Sequence, residues 1–284
     1  MIVKFKSCRK FTGTIYERPE IYDDINYRSS KLSKIFAKFT YNVIKNNYGD
    51  KNNIKILDIG MGTGRPTLEL YKLGFLTVGV DASIDMVEYA EKYVVKNNFE
   101  IICGDILDNN VLNYLENRYG TFDVVTMFYN TLSLFKPLDN LIILLKTISK
   151  LLKNNGIFIA DVTNPISQLT PVRVWLIHRK IENKDYFIYN HSEINLITFD
   201  VKGILIIFIF ENGKFKDIVY DVQFGKQYPL EVYKLLAKML GFKLEVYGDF
   251  NINNPNPARA NIFNLVFKKI VDDKGFADDG GERV

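Results

Sequence analysis

Ile56-Leu-Asp58-Ile-Gly60-Met-Gly62-Thr-Gly64-Arg65 is the stretch of sequence on which the fold turns. A short apolar strand runs into three glycines at alternate positions, and a helix follows over 65–73, with Pro66 near its first turn and Gly74 as its stop. Glycines in such a turn let the backbone bend tightly at the carboxyl end of the strand and come close to a ligand. Two familiar users of glycine-rich turns fit poorly. A dinucleotide fingerprint begun at Gly60 needs glycine where Arg65 stands, and a phosphate loop needs Gly-Lys followed by Ser or Thr, which this turn lacks.

Outward from the turn, short β-branched runs alternate with helical patterns, the signature of βαβ units and a parallel sheet. Strands are expected at Lys55–Ile59, 77–80, Glu100–Cys103, Phe122–Met127 and 156–160. Ser83 can cap a helix that carries Met86, Val87, Ala90 and Val94 on one face, and 138–153 repeats Leu141, Leu144, Leu145, Ile148 and Leu152. After Asp161 the alternation breaks. Residues 185–223 read as two or three antiparallel strands around turns at 201–203 and 211–214, an insertion whose apolar Ile204, Ile206 and Phe208 need a covered face, in the core or on a second subunit. The α/β pattern resumes with a helix over 229–240, a stop at Gly241, and strands at 242–247 and 262–268, which bring the sheet to seven strands. Three parts follow: an N-terminal lid and helical region over 1–50, an α/β domain over 51–271 with a β-rich cap at 174–228, and a Gly/Asp-rich flexible tail over 272–284.

The 284 residues suffice for one sizeable domain with additions, and 47% apolar with 25% charged residues is ordinary globular composition. A net charge of +4, with lysines spread along the chain, does not point to a nucleic-acid partner, and no DNA is expected. The longest apolar run, 203–210, is far below the ~20 residues a bilayer requires, and the charged N-terminus lacks the run of a secretory signal, so a soluble cytoplasmic protein without a membrane partner is expected. Cys8 and Cys103 have no neighbouring Cys or His spacing that frames a metal site or a disulfide, and Cys103, at the end of an apolar run, reads as a buried thiol.

The Asp58-x-Gly60-x-Gly62-x-Gly64 pattern resembles motif I of the class I S-adenosylmethionine-dependent methyltransferases. The resemblance implies a Rossmann-like α/β fold, a seven-stranded sheet with helices on both faces, and S-adenosylmethionine as cofactor. The glycine turn would lie against its methionine part, with Asp58 helping to hold the amino group. Asp81, at the end of the next strand, can accept from both ribose hydroxyls. Ala82 and Met86 would flank the adenine, and Gly104-Asp105-Ile106 is similar to the family's Gly-Asp dipeptide, whose carboxylate binds the adenine amine. The fourth strand leads into Phe128-Tyr-Asn130-Thr-Leu-Ser133, where the family places residues near the sulfonium and the acceptor. No Asn/Asp-Pro-Pro-Tyr/Phe follows that strand, so the resemblance stops short of enzymes that methylate nucleobase amines or glutamine side chains; Asn164-Pro165 reads as turn chemistry.

Ile21-Tyr22-Asp-Asp-Ile-Asn-Tyr27-Arg28 resembles the N-terminal lid of small-molecule N-methyltransferases, the glycine- and amino-sugar-methylating groups, with the second tyrosine one place late. The stretch 243–250 and the insert before it share that likeness. Tyr22 and Asn130 are thus catalytic candidates, and His191, like His178, is a candidate base or a hydrogen-bonded surface residue. The implied function is in-line methyl transfer to a small-molecule or peptide acceptor, first of all an amine nitrogen, possible as a homodimer joined through the insert. The rivals are a non-catalytic S-adenosylmethionine-binding partner subunit and a methyltransferase acting on protein or RNA. Gly62→Val should abolish cofactor binding while sparing the fold, because a branched side chain would fill the ligand's space. Normal S-adenosylhomocysteine binding by a folded Gly62→Val protein, measured by calorimetry, would refute the cradle.

Overall fold

A computed structural model describes residues 2–28, 31–94, 99–168, 172–253, 257 and 259–270. The tail over 272–284 and the side chain of Tyr27 lie outside the described set. The alternating apolar segments form strands β1 (Ile2–Lys4), β2 (Lys55–Ile59), β3 (Leu76–Asp81), β4 (Glu100–Cys103), β5 (Phe122–Met127) and β6 (Leu152–Thr163). Between them run helices α1 (Pro19–Asp23), α2 (Leu32–Tyr48), α3 (Arg65–Lys72), α4 (Ile84–Val94), α5 (Asn109–Tyr119) and α6 (Leu138–Leu151). The insert supplies β7 (Val172–Ile181), β8 (Lys184–Ile194), β9 (Asp200–Glu211) and β10 (Lys214–Lys226), and the chain closes with α7 (Leu230–Met239), β11 (Phe242–Gly248) and β12 (Ile262–Lys269).

One sheet has the order β1-β4-β3-β2-β5-β6-β12-β11, and β12 runs antiparallel to both of its neighbours. Because the central strands are covered on both faces, they are mostly apolar and buried: all six residues of β5 are buried. Leu57, Ile59, Val80 and Val125 point toward the layer of α5, α6 and α7, while Ile56, Val124, Ile157 and Ile159 point toward α2. Helix α5 went unremarked in the sequence. Its N-cap is Asp108, whose side chain accepts from Asn110 N, and Val111 and Leu115 are its buried anchors.

Three expectations are corrected. The sheet has eight strands, because β1 adds in parallel to the edge strand β4, pairing Lys4 with Cys103. The chain then turns back, with Cys8 N donating to Phe5 O at 3.0 Å, so that Cys8 and Cys103, 95 residues apart in sequence, stand 5.1 Å apart at Cα and form a disulfide. The insert, finally, is a four-stranded antiparallel sheet in the order β10-β9-β8-β7. The expected turn at 201–203 lies within β9; the chain instead reverses between Ile194 and Asp200, whereas the turn at 211–214 is a hairpin at Asn212-Gly213, both with positive φ.

The insert sheet has two apolar faces. Tyr186, Ile188, Ile207, Ile209 and Val219 form a cluster with Ile15, Ile21 and Ile25 of the N-terminal segment, so its inner face is covered by the lid. Ile204, Ile206 and Phe208 fall on the opposite face, where Leu176, Phe187, Phe208 and Tyr220 are exposed. One buried polar bond fastens this packing: Tyr186 Oη donates to Asp24 Oδ2 at 2.5 Å. A hydrogen bond to a charged group is worth about 1.5–3 kcal/mol, so Tyr186→Phe should lose roughly that much stability in denaturant unfolding. No measurable loss would show that apolar packing alone holds the lid to the insert.

Candidate functional site

The carboxyl ends of β2, β3, β4, β5 and β6 converge on one edge of the sheet, where an open α/β fold binds ligands. Gly60 N and Met61 N both donate to Val80 O, at 2.8 and 3.2 Å, and so hang the glycine turn on the end of β3. Gly62 has φ +54°, and a Cβ there would meet nothing within 4 Å, which leaves open space above the loop. Gly60 is different: a Cβ would lie 2.6 Å from Thr131 Cγ2, so the turn after β5 packs directly on the glycine turn.

Asp58 lies beneath the turn, 1% exposed, with Oδ2 accepting from Thr67 Oγ1 at 2.6 Å and Oδ1 from Thr126 Oγ1 at 2.8 Å. Burial pushes its carboxyl up to about 6 against the pull of those hydroxyls. Asp81 stands at the mouth. Its Oδ2 accepts from Gly62 N and its Oδ1 from Ser83 N, each at 2.8 Å, while burial raises its pKa and these bonds oppose the rise. The carboxylate is thereby aimed from β3 into the space over Gly62. An open loop beside a fixed acceptor suits a ligand with a polar chain and vicinal hydroxyls, so S-adenosylmethionine fits the residues present.

Beside the ends of β3 and β4, where the resemblance puts the adenine, Gly104 N donates to Asp81 O at 2.9 Å, and Met86 and Ile106 are buried. Asp105 is engaged at both oxygens, by Leu107 N at 3.0 Å and Arg9 Nη2 at 3.2 Å. Ser7 Oγ and Arg9 were missed in the sequence. Ser7 Oγ accepts from Asp105 N, and Arg9 N donates to Ala82 O, so the strap after β1 walls this side. Phe128 is buried and stacked on Phe36 of α2 at 4.9 Å, which places its ring in the core wall.

The segment after β5, where the resemblance puts the acceptor, is a strained turn. Tyr129 and Asn130 have φ of +59° and +58°, the left-handed region that non-glycine residues seldom occupy. Asp161, at the end of β6, holds them there: Oδ1 accepts from Tyr129 N at 2.7 Å and Oδ2 from Asn130 N at 3.0 Å. Asn130 Oδ1 in turn accepts from Thr163 N at 3.2 Å, and Ser133 Oγ donates to Asn130 O at 2.8 Å, so both side chains lock the turn. Burial pushes the Asp161 carboxyl up to about 7. The signal for Asp161 was available, since it is an acidic residue directly after a strand, as Asp81 is.

Above this turn lie the lid tyrosines. Tyr22 packs edge-on against Tyr129 at 6.0 Å and obliquely against Tyr16 at 6.1 Å, and Tyr129 Oη donates to Asn26 Oδ1. Burial pushes the Tyr129 phenol up to about 12 and raises Tyr16 well above the usual range, with Asp221 and Asp81 adding to the latter. Asp23, fully buried, fixes the lid to the glycine turn by accepting from Arg65 Nε at 3.0 Å, Arg65 Nη2 at 2.7 Å and Thr63 Oγ1 at 3.2 Å. The structure thus brings Tyr22 and Asn130 together. It does not bring His191 to them: that ring lies on the outer face of the insert, hydrogen-bonded to Glu193 at 2.7 Å and Tyr189 at 3.4 Å, and His178 pairs with Asp185 at 2.8 Å. Among the described residues, no group of three His, Cys, Asp or Glu could hold a metal ion, and no helix is long and apolar enough to cross a membrane.

The raised Asp161 pKa has a definite sign. A carboxyl at about 7 in the folded chain, against ~3.9 unfolded, contributes stability that is fully present below pH ~4 and lost as pH rises through ~7. Asp161→Asn should remove this component, on the order of 4 kcal/mol, from the difference in unfolding free energy between acidic and neutral pH. An identical pH dependence in the two proteins would contradict the assignment.

Residues 56–156 match a family model described as a methyltransferase domain. The cypemycin N-terminal methyltransferase of Streptomyces sp. is 36% identical over 110 residues, 39% of this chain and 42% of that protein. The ubiquinone biosynthesis O-methyltransferase of Pelagibacter ubique is 33% identical over 117 residues, 40% of this chain and 44% of that protein. The chain therefore spans less than half the length of these curated relatives. In fold, it is similar to a S-adenosylmethionine-dependent methyltransferase from Clostridium acetobutylicum, with a TM-score of 0.73 and 19% identity over 89% of this chain and 98% of that one. It is likewise similar to the sugar N-methyltransferase KedS8 from Streptoalloteichus sp., with a TM-score of 0.67 and 17% identity over 87% and 92%. Residues 56–156, which hold the glycine turn and the ends of β2 to β5, thus match a methyltransferase domain, on a fold similar to that of S-adenosylmethionine-dependent methyltransferases.

Proposed function

We propose that the chain transfers a methyl group from S-adenosylmethionine to an amine nitrogen of a small molecule or of a peptide N-terminus. The observation that carries this reading is the run of ring contacts from Tyr129, in the turn after β5, through Tyr22 to Tyr16, whose rings also pack against the inner-face cluster of the insert. Through Asp23, next to Tyr22, the same lid grips Arg65 and Thr63 of the glycine turn. Bound S-adenosylmethionine supplies a methyl group already activated on a sulfonium. Gly62 would leave room for its methionine part, Asp81 would hold the ribose, and Met86 and Ile106 would flank the adenine. What remains for the protein is to align the acceptor and exclude water.

The tyrosines suit that task. Tyr129, its phenol pushed up to about 12, stays neutral at physiological pH, and so does Tyr16. A phenolate would itself be a nucleophile competing for the methyl group; a neutral phenol is not. Tyr129 gives its proton to Asn26 and so can meet an acceptor N–H only with an oxygen lone pair, which turns the nitrogen lone pair away from the phenol. The amine specificity of the cypemycin enzyme and of the sugar N-methyltransferase supports nitrogen as the acceptor atom, while the ubiquinone relative keeps oxygen as the second reading.

Incubation with methyl-labelled cofactor and a panel of amines and hydroxyl compounds, followed by mass spectrometry, should give an N-methyl product. Asp81→Ala should weaken cofactor binding about tenfold or more, in keeping with about 1.5–3 kcal/mol for hydrogen bonds to a charged group. Transfer only to hydroxyls would replace nitrogen by oxygen in this reading. Cofactor binding without transfer to any member would favour a non-catalytic module.

A further inference from the structure

The inner face of β10 passes over the site at three positions four residues apart. Asp217 pairs with Arg18 of the lid at 2.7 Å, and a Cβ on Gly225 would lie 3.3 Å from Ser133 Oγ in the turn after β5. Asp221 lies midway between them on the same face, opposite Leu205 of β9. It is 1% exposed. Its Oδ2 accepts from Gln223 Nε2 at 2.8 Å, while its Oδ1 has no hydrogen-bond partner among the described residues. A buried carboxylate oxygen without a partner carries a desolvation cost that folding alone gives no reason to retain.

Among the described residues, Arg18 is held by Asp217 and Glu20, and Arg173 donates to Ser167 O at the root of the insert. Asp221 is near enough to Tyr16 to raise that phenol's pKa, and Asp81 acts on the same phenol from the cofactor side. With Asp217 on Arg18 of the lid and Gly225 against Ser133, Asp221 between them faces the lid beside the turn after β5. The unmet bond is an acceptor's, and it is charged. Its complement is a cationic donor.

We infer that Asp221, oriented by Gln223, anchors the methyl acceptor through an ammonium group, one proton of which passes to Asp221 Oδ1 so that the freed nitrogen lone pair takes the methyl group as the sulfonium leaves as a thioether. The inference rests on the reading of the chain as an amine methyltransferase and names the residue that selects the amine. Three primary amines serve as probes: an amino sugar, an amino acid amide and a tetrapeptide with a free N-terminus. Each is paired with an uncharged counterpart: the parent sugar, the hydroxy acid amide and the N-acetylated peptide. Calorimetry on protein saturated with S-adenosylhomocysteine should show at least one amine binding about tenfold or more tightly than its counterpart, a preference that Asp221→Asn abolishes. Cofactor-product affinity should stay within about twofold. Asp221→Asn should unfold at or above the wild-type temperature, because a buried charge without a full set of partners is gone. A preference that survives Asp221→Asn, no preference in the wild type, or a melting point lower by about five degrees or more would each overturn the inference. Should that variant not fold, Gln223→Leu takes its place: an amine preference altered about threefold or more supports the anchor, and an unaltered one overturns it. Labelled methyl transfer to the same probes separates this inference from the reading it rests on. Amine binding that needs Asp221 with transfer to a hydroxyl would sink only the N-methyl reading, whereas N-methylation indifferent to Asp221 would sink only the anchor.

Discussion

The ion pair between Asp23 and Arg65 is the constraint on which the site depends. Arg65 is the first residue of α3, immediately beyond the last glycine of the turn, and its guanidinium grips a fully buried carboxylate on the lid through two nitrogens. Such a fork fixes direction as well as distance. The lid is short, five residues of α-helix followed by a π-helical turn, and by itself a segment of that length has little reason to be helical. Tyr22, one residue before Asp23, reaches Tyr129 because the helix is pinned at this point. Thr63 Oγ1 and Tyr89 Oη add to the grip, so the cofactor turn, the adenine-side helix α4 and the lid share one polar joint.

Opposite this joint, the floor of the acceptor space is strained backbone. Two successive left-handed residues, neither of them glycine, persist only where surroundings over-determine them, and Asp161 with Asn130, Thr163 and Ser133 supplies that determination. The strain has a use. It bends the chain at the end of β5 so that Thr131 meets Gly60 and Ser133 meets Gly225, which seats the insert root and the cofactor turn on either side of one tetrapeptide.

Much of this was legible in the sequence, for identifiable reasons. The glycine turn, Asp81 and the central strands follow from local pattern: an apolar run, a residue type able to take positive φ, a carboxylate at a strand end. The insert was legible as β-rich but not in its register, because β9 is apolar at consecutive positions from Ile204 to Phe210 and alternation cannot say which face is inward. The turn drawn at 201–203 failed for the same reason, since Gly203 sits in mid-strand opposite Ser192. Asp23–Arg65, Arg9–Asp105 and the Cys8–Cys103 bond join residues 42, 96 and 95 positions apart, and no local signal carries such pairings. Arg65 illustrates the limit. Its mismatch to the dinucleotide pattern was visible in the sequence, while its partner was not.

Asp23 and Asp24 are consecutive, and they face opposite ways: the first holds the cofactor turn through Arg65, the second takes the hydroxyl of Tyr186 from the insert. A single peptide unit therefore separates the grip on the cofactor half from the grip on the acceptor half. Any displacement of the lid that improves one carboxylate's geometry is felt at the other within the length of one residue. Coupling between two sites is a single free energy shared by both. On the proposed reading, cofactor and acceptor would be tied to one common pin, and an acceptor that tightens cofactor binding would itself be bound more tightly, by the same factor, once the cofactor is in place.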